Sequence, residues 1–250
     1  MTAGASNCAL VLGAGGGLGS AIVAEFLSDP AITRVFAVSS QGRPAELSVP
    51  DASELRLVWV KTEYNELSMS GVVDQLQEQA SNIGRVCICH GLLHSETIWP
   101  EKRLEDINAT SMHEIFQSNT VVPALWLKLL FKVLKGQEPC VVATMSARVG
   151  SIGDNRMGGW HSYRASKSAL NMVLQNMAIE YARRAKNVKL IAFHPGTTDT
   201  ALSKPFQAAV PSGKLFSPAF VAARLAQLMD NAELDGQLSY IDWDGQPIPW

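Results

Sequence analysis

Short runs of consecutive apolar residues alternate along the chain with longer stretches in which apolar positions recur every three or four residues. The short runs are CALVLG, RVFAVS, LRLVWV, RVCICH, CVVATMS, VKLIAFH and LSYID. VVATM and VKLIAF are apolar almost throughout, as strands covered on both faces must be. The longer stretches predict helices over Leu18 to Leu27, Val72 to Gln79, Ile107 to Leu134, Tyr163 to Ala185 and Pro218 to Asn231. Strands separated by helices mark a parallel sheet with helices on both faces. The pattern predicts an α/β chain built on a doubly wound parallel sheet of about seven strands. No linker composition divides it, so one domain over 1–250 is expected.

In sheets of this kind ligands bind beyond the carboxyl ends of the strands, which directs attention to the residues that follow each run. After the first comes GAGGGLG, with Gly13, Gly17 and Gly19 in a G-x-x-x-G-x-G spacing and Gly15 and Leu18 between them. Backbone without Cβ atoms leading into a helix N-terminus suits the close approach of a pyrophosphate. After the second run, Ser39 and Ser40 stand where an acidic residue would hold the ribose 2′-hydroxyl of NAD. Arg43, three residues on, suits a 2′-phosphate, so NADP(H) is favoured over NAD(H).

Composition narrows the classes of partner. The 250 residues carry a net charge of −2, with 47% hydrophobic and 18% charged. With no basic run there is no electrostatic reason to expect nucleic acid or an anionic membrane, which leaves small molecules. No stretch of about 18 apolar residues and no signal-peptide pattern occurs, so a cytoplasmic protein is expected. Cys8, Cys87, Cys89 and Cys140 lie in apolar runs, as buried thiols of a reducing compartment do. Cys87, Cys89, His90 and His94 are close in sequence but match no common zinc spacing, and no metal is expected.

The stretch YRASK places Tyr163 and Lys167 four residues apart in a helical segment, hence on one face. A phenol titrating near 10 is a poor acid–base group, and a neighbouring ammonium is expected to lower that value. Ala165 and Ser166 between them keep the helix surface low enough for a cofactor to approach.

With these motifs in this order, the chain resembles the short-chain dehydrogenase/reductase family over essentially its full length. The resemblance implies a single NAD(P)-binding Rossmann domain and an oxidoreductase that moves hydride between nicotinamide and a small, hydrophobic carbonyl or alcohol. It implies that Ser146 hydrogen-bonds the substrate carbonyl and that Tyr163 is the acid–base. Lys167 would lower the Tyr163 pKa and hold the nicotinamide ribose, and Asn119 would support a water-mediated proton relay. In HPGTTDT it assigns Pro195, Gly196, Thr197 and Thr200 to the cofactor. Of the family's Asn-Asn-Ala-Gly motif after the fourth strand only Gly91 remains, in CHG, and Thr62 replaces an adenine-contacting Asp.

The 17 residues from Ser146 to Tyr163 exceed the usual spacing and bring Trp160 and His161 toward the substrate side. This loop and the tail YIDWDGQPIPW resemble the sniffer and C-factor-like branch, which includes carbonyl reductases. Residues 200–218, with Leu202, Phe206 and Val210, are expected to form an apolar substrate lid, and the two longest helices a homodimer or homotetramer contact. The alternative reading is a dinucleotide-binding signalling or sensor protein with little turnover.

Overall fold

A computed structural model describes residues 7–45, 47, 49 and 51–250. All seven apolar runs become strands of one parallel sheet. They are β1 (Asn7–Leu12), β2 (Ile32–Ser39), β3 (Leu57–Lys61), β4 (Ile83–Ile88), β5 (Cys140–Met145), β6 (Val188–His194) and, after a short pair, β9 (Leu238–Asp242). Their spatial order is β3-β2-β1-β4-β5-β6-β9. The chain starts mid-sheet, runs outward through β2 and β3, then returns to the other side of β1. Crossover connections therefore diverge between β1 and β4, which opens a crevice at their carboxyl ends.

Alternate strand residues serve two cores. Leu10 and Leu12 face one, with Trp126, Leu127 and Leu174; Ala9 and Val11 face the other, with Ile22, Phe26 and Leu225. The first core is closed by α3 (Glu66–Gln79), α5 (Val122–Leu134) and α6 (His161–Arg184). The second is closed by α1 (Gly17–Ser28) and α7 (Pro218–Asp230), which pack on each other. A single turn, α2 (Asp51–Glu54), precedes β3.

The helix expected over Ile107 to Leu134 is not continuous. It comprises α4 (Ala109–Phe116), a π-helical turn over Gln117–Val121, and α5. Pro123 explains the break: it has no N–H for the carbonyl four residues back, that of Asn119, and its ring would crowd that carbonyl in an α-helix. The wider turn relieves the crowding. The sequence patterns also miss a two-stranded parallel ribbon, β7 (Thr197–Thr198) with β8 (Leu215–Phe216), and a 3₁₀ turn over Lys204–Ala209. Among the described residues no helix is long and apolar enough to cross a membrane.

Candidate active site

Beyond the carboxyl ends of the central strands lies a cavity of about 390 Å³. Gly17, Leu18, Gly19, Gly91, Ser146, Tyr163, Lys167, Pro195 and Thr200 line it together, although they are drawn from five separate stretches of sequence. The glycines explain how α1 reaches its rim. Gly13 turns the chain out of β1 with φ +81°, and a Cβ on Gly19 would collide with the Gly13 carbonyl oxygen. At Gly17 a Cβ would lie 3.1 Å from Thr200 Cγ2. The first turn of α1 contains no acidic residue, and its N-cap, Gly16, supplies no side-chain acceptor. Its free N–H groups and the positive end of its dipole therefore form an anion site, and the cradle fits a dinucleotide pyrophosphate.

Several expected cofactor residues stand outside this cavity. Gly15 borders a neighbouring recess of about 480 Å³ with Pro44 and Leu47. Ser39 is buried and donates its hydroxyl to the Gln41 carbonyl. Arg43 pairs with Glu54 and donates to the Leu47 carbonyl at 3.0 Å. Gly196 is needed for a φ of +71°, and a Cβ there would lie 2.7 Å from the Phe216 ring. Thr197 is paired with Leu215 in the ribbon. These last two shape the wall from behind. Thr62 is buried, its N–H donating to the Ser39 carbonyl at 2.9 Å.

The proposed chemical groups are packed more tightly. Ser146 follows β5 and donates Oγ–H to Asn171 Oδ1 at 2.6 Å. Lys167, one turn along α6 from Tyr163, donates Nζ–H to the Met145 carbonyl at 2.8 Å and lies 5.9 Å from the Tyr163 ring centroid. A Cβ on Gly150 would come within 2.9 Å of the Lys167 backbone, so glycine there lets the loop after β5 press against α6.

The expectation for the phenol pKa is reversed. Burial pushes Tyr163 up to about 12 and Lys167 down to about 7. Both side chains are less than a tenth exposed. The ammonium is turned to the Met145 carbonyl, and loss of water outweighs its attraction for a phenolate.

Asn119 is wholly buried. Its Oδ1 accepts from Leu92 N–H at 2.6 Å, while Nδ2 donates to the Leu92 carbonyl at 2.9 Å and Ser166 Oγ at 3.0 Å. It clamps the segment after β4 to α6 just behind the cavity. In place of the missing family asparagine, His90 Nε2 accepts the indole N–H of Trp126 at 3.0 Å. That bond fixes a neutral ring protonated at Nδ1. Burial and the nearby Lys167 push its pKa down to about 3.

Sequence reasoning overlooked Glu101 and Asn171. Glu101 is buried and accepts from the backbone N–H and the hydroxyl of Ser162, while its carbonyl accepts from Trp160 N–H at 2.5 Å. It thus satisfies the start of α6, a position that favours negative charge. Its partners lie some 60 residues downstream, so no local pattern marks it. Asn171 had a visible signal, because Tyr163, Lys167 and Asn171 repeat every four residues on one helical face.

The predicted loop residue Trp160 has φ +52°, following Gly158 and Gly159 at +64°. Its ring meets Tyr163 edge-on at 6.2 Å and Phe206 at 5.1 Å. Phe206 in turn contacts His94 at 5.7 Å, and His94 stacks on Trp99 at 5.5 Å. An aromatic run thus extends outward from the phenol. His161 is the first residue of α6, and Leu202 lines the cavity.

Comparison with known proteins bears on the family and the fold. The family model for short chain dehydrogenases matches residues 7–210. A 1-hydroxy-2-glutathionyl-2-methyl-3-butene dehydrogenase from Rhodococcus sp. is 33% identical over 132 residues, which cover 53% of this chain and 55%, about half, of that protein. A benzil reductase, (S)-benzoin forming, from Bacillus cereus is 23% identical over 93% of this chain and 98% of its own. The crystal structure of an NADPH-bound carbonyl reductase from chicken fatty liver superposes with a TM-score of 0.82 at 21% identity, covering 98% of this chain and 99% of that one.

Proposed function

We propose that this chain, which belongs to the short-chain dehydrogenase family, is an NADPH-dependent reductase of hydrophobic carbonyl compounds. The observation that carries this reading is the convergence of Ser146, Tyr163 and Lys167 on one cavity whose rim is the uncapped N-terminus of α1. Gly17 and Gly19, with Leu18, would hold the pyrophosphate, and Lys167, Pro195 and Thr200 the nicotinamide end. A nicotinamide dinucleotide bound there supplies hydride.

The protein's own groups handle the oxygen. Ser146 Oγ–H hydrogen-bonds the substrate carbonyl and orients it, and Tyr163 Oη–H gives its proton to that oxygen as the alcohol forms. With a pKa of about 12 the phenol stays protonated at neutral pH, which suits a proton donor in the reductive direction. Lys167 in its ammonium form steadies the negative charge left on Tyr163. Asn119 keeps the β4 loop and α6 in register around these groups.

The carbonyl substrate class is supported by the aromatic run from Tyr163 to Trp99 and by the named activities of the similar benzil and carbonyl reductases. The 200–218 segment serves as an apolar cover, with Leu202 at the cavity and Phe206 against Trp160. Preference for NADPH rests on Arg43, the sequence neighbour of Pro44 at the recess next to Gly15, which would exchange its partner Glu54 for a 2′-phosphate.

The test is direct. NADPH and NADH are titrated by fluorescence, and aldehydes and ketones are screened for loss of nicotinamide absorbance with Tyr163→Phe as control. Turnover in the wild type and none in the variant, at unchanged NADPH affinity, is expected. Equal rates in both proteins, or no turnover of any carbonyl, overturn the reading.

A further inference from the structure

The Ser146 hydroxyl is spent on Asn171. It donates to Oδ1 at 2.6 Å, so its hydrogen faces α6 rather than the cavity. Asn171 is buried and its Nδ2 meets no acceptor at full hydrogen-bond geometry, the Tyr240 phenol being the polar group its side chain reaches. A buried amide donor so weakly met is costly and has reason to rearrange. Tyr240 of β9 lies on its other side: burial raises the pKa of that phenol, and the hydrogen bond it shares with the Asn171 side chain opposes the rise. Its hydroxyl donates to the Ala147 carbonyl at 2.7 Å.

We propose that Asn171 is the positioning residue for Ser146, turning its amide about the Cβ–Cγ bond so that Nδ2 donates to Ser146 Oγ and releases the serine hydrogen toward the substrate oxygen. The turn gives Nδ2 a full hydrogen bond. It also brings Oδ1 toward the Tyr240 hydroxyl, whose hydrogen swings from the Ala147 carbonyl to meet it. All three donors then run one way, from Tyr240 through Asn171 to Ser146. No bond to hydrogen is broken; only rotations occur. The inference rests on the reductase reading above and adds to it the group that makes Ser146 a donor. Arg148 acts on Tyr240 from the loop after β5, with Asp154 opposing it, and Lys167 lies one turn back on α6.

Asn171→Asp decides the matter, with 4-nitrobenzaldehyde and NADPH as probes. An ionised carboxylate only accepts, so it holds the Ser146 hydrogen away from the cavity. The expected result is a kcat lower by about 10- to 100-fold at unchanged NADPH affinity. The rate should recover on acidification, because a protonated acid can donate to Ser146 Oγ. Asn171→Ala, which leaves the serine free to turn, should lose less and show no such acid limb. Wild-type kcat in Asn171→Asp, or equal losses in both variants with unaltered pH profiles, overturns the proposal.

Should Asn171→Asp fail to fold, Tyr240→Phe removes the donor for Oδ1 and should lower kcat several-fold without raising KM; an unchanged kcat overturns the proposal equally. A wild type that binds NADPH but reduces no carbonyl removes the reductase reading and this proposal with it. In an active wild type the variants alone decide.

Discussion

The two ends of the crevice are built to different tolerances. Ser146, Tyr163 and Lys167 are themselves buried, with Ser146 held on Asn171 at 2.6 Å and Lys167 on the Met145 carbonyl at 2.8 Å. Around Arg43 the partners are exposed carboxylate and loop carbonyl, half of the Glu54 side chain facing solvent. The groups proposed to meet a reacting atom are fixed by core packing, whereas the group proposed to read a phosphate sits on a loop where competing partners differ little in energy. Substitutions at the inner end should therefore act strongly and through geometry, and those at the outer end weakly and through charge.

The sharpest test of that contrast is Ser146→Ala, which removes a donor to the carbonyl oxygen. Turnover should fall by about 10²- to 10³-fold in steady-state kinetics, with NADPH binding intact. A loss of only a few fold would place the inner end on the same footing as the outer.

Next in size is the buried charge of Lys167. Its pKa falls from 10.5 in the unfolded chain to about 7 in the folded one. Between those values the unfolded chain holds more protons, so stability rises with pH across that window. The penalty is complete below about pH 7 and gone above 10.5. Lys167→Met should therefore raise stability by an amount on the order of a few kcal/mol below neutrality, read as a higher melting temperature, while abolishing activity. The gain should shrink as pH climbs toward 10; a gain independent of pH would contradict the assigned burial cost.

Gly150→Ala probes the same region through packing alone. Its Cβ would press on the Lys167 backbone, and about 1 to 3 kcal/mol of stability should be lost in denaturant titration, with a drop in kcat as Lys167 is displaced. At the outer end Glu54→Gln frees Arg43 from its ion pair. NADPH affinity should improve relative to NADH by no more than about fivefold, matching the roughly 0.2 to 1 kcal/mol of an exposed pair. An unchanged ratio would remove Arg43 from phosphate recognition.

The same contrast governs what the sequence made legible. The seven strands were readable because burial on both faces forces continuous apolar runs, and the Y-x-x-x-K pair because helical spacing alone puts its members on one face. The phenol pKa was misjudged for a reason no spacing reveals: the depth of Tyr163 and the turning of Lys167 toward Met145 are set by packing. Glu101 was invisible because its role is defined by a partner 61 residues away. Gly196 and Thr197 occupy the expected turn yet face Phe216 and Leu215, a contact made by the unforeseen ribbon.

The widened turn at Gln117–Val121 also sets the phase of everything that follows it. One surplus residue per loop of helix advances the side chains by roughly 100° relative to an unbroken spiral. Excising a single residue between 117 and 121 would thus rotate Trp126 away from His90 and carry Asn119 off Leu92 in one stroke, so this short stretch acts as an indexing notch whose length, more than its composition, the crevice depends upon.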